Sequence, residues 1–251
     1  MSYYKRVITA GPLVVQAIYP APHPRDSERV RAGKRHLSSE AQQKMNWKYS
    51  WQKLELELAA NFRAKDLYCT LTYDDAHLPG SRAEAIKRIK AFWRKLRTAR
   101  AGKRLELRYL YVTEHKHGDG RWHHHVLINA TGHDYDQIRE LWGQGNVDFK
   151  QLRVDKDKNY ESLAKYLCKE QRDKLGHRLW SGSRNLHKPE KECYRVPDDH
   201  DIVAPKKATV LTDAHEQTAY GHYHYIKYIA EGAKRAAKAP RATRRKPNPR
   251  P

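Results

Sequence analysis

The chain has 251 residues, room for one substantial domain with extensions or for two small ones. Fifty Lys and Arg against 29 Asp and Glu leave a net charge of +21, which points to a polyanionic partner, nucleic acid ahead of a membrane surface. A hydrophobic fraction of 39% and a mean hydropathy of -0.99 argue for solvated or flexible stretches, and no apolar run approaches the roughly 20 residues that span a bilayer.

Cys69, Cys168 and Cys193 stand apart with no Cys-x-x-Cys pairing, which suits a reducing cytoplasm and speaks against a cysteine zinc site. The first residues do not read as a secretory signal, because the apolar stretch after them is broken by Gly11-Pro12. Little can be assigned over 1–35. From Ser38-Ser39-Glu40 to Phe62 a run without Gly or Pro predicts a helix with a serine cap.

Leu67 to Tyr73 is rich in β-formers and stops at Asp74-Asp75. Ser81 to Arg97 carries Ile86, Ile89, Trp93 and Leu96 on one helical face. Leu105 to Glu114 and Trp122 to Asn129 read as strands joined at His117-Gly118-Asp119-Gly120. A helix over 134–142, a strand over 146–154 and a helix over 160–172 follow. The order β-α-β-β-α-β plus a helix predicts an α+β protein with a ferredoxin-like antiparallel sheet and helical, basic extensions at both ends. Past Gly176 regularity fades, and Ala214 to Lys238 is expected to be helical. Lys234 to Pro251 holds eight basic residues, four prolines and no acid, the composition of a disordered cationic tail.

Gly120-Arg121-Trp122-His123-His124-His125-Val126 is the most informative stretch. Residues two apart on a strand share a face, so His123 and His125 can grip one divalent ion while His124 points the other way. With an even hairpin loop Glu114 joins them, opposite His123 for a loop of 118–119 or opposite His125 for a loop of 119–120. An odd loop would present His115 instead. This donor set suits Mn²⁺ or Mg²⁺ with positions left for phosphate oxygens. Tyr220-Gly221-His222-Tyr223-His224-Tyr225 repeats the spacing, but in a segment expected to be helical, where residues two apart diverge.

Tyr166 and Lys169, three apart on the last predicted helix, share a face. A metal ion that polarises a phosphodiester and a phenolate that attacks it would form one chemical unit. Tyr160 is the nearest rival and is expected to pack. Lys165, Arg121 and Arg184 are the expected nucleic-acid contacts.

Residues 66–190 resemble the HUH endonuclease superfamily, nearest to the replication initiation proteins of microviruses and related phage-like elements. The resemblance lies in Leu67 to Asp75 with Leu78-Pro79, in Glu114 with the Arg121-x-His123-x-His125 run, and in Ala164-Lys165-Tyr166-Leu167-Cys168-Lys169. It implies that Tyr166 is the nucleophile, that His123 and His125 hold the metal and that Lys169 assists. The resemblance further implies nicking of single-stranded origin DNA through a 5′-phosphotyrosine, followed by rejoining, in rolling-circle replication of a phage or plasmid in a bacterial cytoplasm. Some relatives carry a second tyrosine where this chain has Ser162, so a second subunit or water would end a round. The chain shows no phosphate-binding Gly-x-x-x-x-Gly-Lys-[Ser/Thr] loop, and a host helicase is the expected partner.

The expected organisation is a basic, partly helical extension over 1–62, the endonuclease domain over 63–190, a partly helical accessory segment over 191–233 and the tail over 234–251. A relaxase or transposase would use the same chemistry. A non-catalytic module would instead hold single strands on Tyr68, Tyr109, Tyr111 and Trp122.

Overall fold

The computed structural model describes residues 3–20, 40–115, 120–132, 134–169, 179–218 and 221–231. The basic tail lies outside them. The chain opens with a hairpin, β1 (Tyr3–Ala10) and β2 (Leu13–Pro20), closed by a Gly11-Pro12 turn. Gly11 has φ +58° and lies so near helix α1 (Glu40–Asn61) that a Cβ would meet the Ala59 carbonyl oxygen at 2.6 Å. Glycine is the residue this turn requires.

The central unit follows as β3 (Leu67–Thr72), α2 (Arg82–Gly102), β4 (Tyr109–His115), β5 (Trp122–Ile128), α3 (Tyr135–Trp142) and β6 (Val147–Gln151). Helix α2 starts where its sequence says: the Ser81 hydroxyl accepts from the Glu84 amide, and Glu84 in turn accepts from the Gly80 amide. Next come α4 (Glu161–Leu167), β7 (Ser181–Gly182), β8 (Glu190–Val196), β9 (Thr209–Thr218) and β10 (Gly221–Ile229). No helix among the described residues is long and apolar enough to cross a membrane.

The strands form two five-stranded antiparallel sheets. The central sheet runs β6-β3-β5-β4-β7, and its first four strands have the order of a ferredoxin-like unit. The protein is therefore α+β, as its element order predicts. The other sheet runs β8-β1-β2-β10-β9. It joins residues of the N-terminal extension to residues of the accessory segment, two regions the sequence keeps separate.

Each face of the central sheet has its own cover. Cys69, Leu71, Tyr109, Tyr111, Val126 and Ile128 pack against α2 and α3 through Ile89, Phe92, Trp93 and Trp142. Leu110, Val112 and Leu127 pack against α1 and α4 through Leu54, Leu58, Ala164 and Leu167. Burying these side chains supplies the main stabilisation, about 25 cal/mol for each Å² of apolar surface removed from water.

Two expectations are corrected. Described residues from Ala214 to Ile229 form strands, not a helix. Tyr109 and Tyr111 are core residues rather than stacking platforms: both are buried, and Tyr109 stacks on Trp93 with ring centroids 3.9 Å apart.

Candidate metal centre and its tyrosine

Alternation along β5 sends His123 and His125 to the α1/α4 side of the sheet and His124 to the α2/α3 side. On that second side His124 is fully buried. Its Nε2 lies 2.8 Å from the Tyr73 hydroxyl and its Nδ1 2.9 Å from the Thr113 hydroxyl. Burial, with the nearby His123 and His125, pushes its pKa down to about 3, so it is a neutral core residue.

Strand pairing sets Glu114 directly opposite His123, with Val112 opposite His125. That is the first of the two registers open to an even loop. Glu114 Oε2 lies 3.5 Å from His123 Nε2 and 3.4 Å from His125 Nε2. The ligand atoms of the three residues fall within 4.8 Å of one another. Burial alone would raise the Glu114 carboxyl; hydrogen bonds and charge from His123 and His125 outweigh it and hold the pKa at about 2.

The donor set fits a divalent cation. Glu114 is 4% exposed, yet its Oε1 is buried without a hydrogen-bond partner. A native fold rarely leaves such an atom unpaired, and a bound cation would pair it. His125 is also braced from behind: its Nδ1 lies 2.9 Å from the Tyr68 hydroxyl and 3.3 Å from Thr70 Oγ1. With that nitrogen engaged, Nε2 is the atom left to face the cluster, which is how outer partners orient ligating histidines. Sequence reasoning does not single out Tyr68 and Thr70 as parts of this site. A signal for them exists, since even-numbered residues of β3 share the face of His123 and His125 and Thr70 pairs with His125.

Helix α4 carries Tyr166 to the edge of this cluster. Ala164 and Leu167 anchor the helix in the core, while Tyr166 stays 42% exposed with its ring centroid 5.6 Å from that of His125. Lys169 Nζ sits 3.9 Å from the Tyr166 ring centroid, a close cation–π contact. Tyr160 is buried and donates its hydroxyl to the Phe62 carbonyl, a packing role.

The expected nucleic-acid contacts separate. Lys165 turns towards Glu161 and the Trp51 ring. Arg121 pairs with exposed Asp75. Arg184 lines a cleft on the α2 side with Lys90, Arg94 and Arg97, across the sheet from Tyr166.

One buried link ties this half of the molecule to the other. Lys227 of β10 places Nζ 3.2 and 3.3 Å from the two Glu55 carboxylate oxygens of α1 and 2.5 Å from Glu161, the first residue of α4. The helix that bears the tyrosine is thereby held at its N-terminus by the second sheet.

A ferredoxin-like sheet with two imidazoles, a carboxylate and an exposed tyrosine on one side defines an α+β protein with a candidate metal centre. Residues 66–171 match the sequence model of a family described as replication-associated protein. The matched segment is less than half of the chain, but it runs from before β3 to beyond Lys169 and so takes in Glu114, His123, His125 and Tyr166. No curated protein and no solved structure matches the chain.

Proposed function

We propose that the protein is a replication initiator endonuclease that nicks single-stranded origin DNA through Tyr166 and rejoins the strands. The observation that carries this reading is the convergence of Glu114, His123 and His125 beside an exposed tyrosine whose ring lies under Lys169. Similarity of the same segment to a replication-associated family supports it.

Glu114, His123 and His125 would hold Mn²⁺ or Mg²⁺, which supplies Lewis-acid polarisation of a phosphate oxygen when bound. Tyr68 and Thr70 hold the His125 ring in the orientation that presents Nε2 to the cluster. Lys169 places a positive charge over the Tyr166 ring, where it would offset negative charge on the phosphate under attack. Tyr166 Oη gives its proton to water and attacks phosphorus, and the Tyr–O–P bond forms. The P–O3′ bond breaks to leave a 3′ oxygen that takes up a proton from water and becomes the 3′-OH. The phosphodiester energy is kept in the phosphotyrosine, so the 3′-OH can reverse the step and join strands. A host helicase would supply unwinding, and a bacterial cytoplasm is the setting.

The test is denaturing electrophoresis of the protein with 3′-labelled single-stranded DNA from its own genomic neighbourhood in Mn²⁺. The reading predicts a labelled band shifted by the mass of the protein, absent with EDTA and in Tyr166→Phe. Cleavage without a protein-linked band would assign the attack to water. Tight binding without cleavage would make the chain a binding module.

A further inference from the structure

The second sheet carries a cluster that the chemistry of Tyr166 does not use. His215 of β9 lies directly opposite His224 of β10, and their rings stack with centroids 3.6 Å apart. Asp213, two residues before His215, shares its face. Asp213 Oδ1 lies 2.9 Å from His224 Nε2 and 3.4 Å from His215 Nε2. Ligand atoms of the three residues fall within 4.8 Å of one another.

His224 is 3% exposed, and its far nitrogen is taken up as well: Nδ1 lies 2.6 Å from Asp201 Oδ1. Asp201 belongs to the segment between β8 and β9 that covers this face of the sheet, where Ile202 packs on Tyr3, Ile18 and Ile226. The Ile202 amide donates to the same Asp201 oxygen at 2.8 Å. A carboxylate behind the Nδ1 of a histidine, with Nε2 aimed at another acid and another imidazole, is the outer-partner arrangement of a metal-bound histidine. Side chains of Asp213 and His215 are 46% and 64% exposed, so solvent reaches the cluster. It opens into a cavity of about 470 Å³, whose lining includes Asp198, Asp199 and His222.

We infer that Asp213, His215 and His224 form a second metal site, specific for a borderline ion of the Zn²⁺ or Co²⁺ class. Two imidazoles and one carboxylate give three ligands of a four-coordinate ion and leave one position for water. The ligands come from two strands, and Asp201 behind His224 comes from the covering segment. The bound ion therefore fastens that segment and the edge strand β9 to the sheet. This site is independent of the Tyr166 reading, because none of its residues lies on the central sheet.

The test uses untagged full-length protein carrying His123→Ala and His125→Ala, so that the first cluster is silent. After chelator treatment and dialysis against Zn²⁺, bound metal is counted by elemental analysis, and Co²⁺ substitution is followed by visible absorption. The expected result is one ion per chain, tetrahedral Co²⁺ bands, and a rise in the thermal midpoint of about 5–10 °C at a hundredfold excess of Zn²⁺ over its dissociation constant. Adding His215→Ala should abolish all three. His215 is largely exposed, so its loss leaves the fold intact, and Asp213→Asn provides a second variant. No retained metal, or metal retained equally after His215→Ala, would overturn the site. In that case the cluster is a hydrogen-bonded His224 held between Asp201 and Asp213.

Discussion

The two sheets are built alike and use histidine differently. Both are five-stranded and antiparallel, and both contain a strand with a His-x-His pair, 123/125 in one and 222/224 in the other. On β5 both histidines point at Glu114, which strand pairing delivers from β4. On β10 only His224 joins a cluster; His222 stacks on Tyr3 with ring centroids 4.3 Å apart. Spacing fixes which side chains share a face. The neighbouring strand decides whether they meet at a point.

The largest expected effects fall on the central sheet. Tyr166→Phe should lower strand cleavage by at least about 10³-fold, and His125→Ala by about 10²-fold or more, in single-turnover assays with Mn²⁺. His215→Ala on the other sheet should leave the same rate within about twofold. An equal loss from His215→Ala would erase the division of labour between the sheets.

Next in size is the link that joins them. Lys227 is almost fully buried between Glu55 and Glu161, so Lys227→Met leaves the buried Glu55 carboxylate without its cation, while Glu161 keeps Lys165. Removing one partner of a buried pair costs about 3–5 kcal/mol, a loss that urea unfolding would register. Combining Lys227→Met with Glu55→Leu should recover part of it. A stability unchanged in Lys227→Met would mean that the link does not hold α4.

Smaller still is the effect of Tyr68→Phe, which removes the hydroxyl behind His125. Metal affinity should weaken about 10-fold, measured by calorimetric titration of Mn²⁺, with the fold retained.

The smallest effect is chemical. Burial pushes the Cys69 thiol up to about 12, chiefly by desolvation, and the Cys168 thiol likewise. Both stay protonated at pH 7–8, whereas Cys193 on edge strand β8 is exposed. Alkylation of native protein followed by peptide mass spectrometry should label Cys193 and spare the other two. Raising the pH towards 9 should not expose them, because their thiolates form only near about 12.

Much of the central sheet is legible in the sequence because its elements carry clean periods. The apolar face of α2 shows at Ile89, Trp93 and Leu96, with Ile86 only half-buried. The His-x-His strand and the tyrosine helix can be placed from spacing alone, and the pairing of Glu114 with His123 is one of the two registers an even loop allows. The second sheet is not legible, for a physical reason. Its strand β10 is covered on both faces, by Glu55 of α1 through Lys227 and by the segment containing Ile202 through Ile226. A strand covered on both faces loses the alternation of polar and apolar residues that marks a half-exposed one. Its pairing partner β2 also lies at the opposite end of the chain, beyond the reach of local patterns. Tyr109 and Tyr111 mislead because alternation shows that they share a face but not that Trp93 covers it.

The most direct test of the central claim is the identity of the residue joined to DNA. Protein incubated with single-stranded origin DNA and Mn²⁺ would be digested with trypsin and nuclease, and the nucleotide-bearing peptide sequenced by mass spectrometry. The account predicts a 5′-phosphonucleotide on Tyr166 and on no other tyrosine. The same adduct on Tyr160, or on a tyrosine of the second sheet, would contradict it.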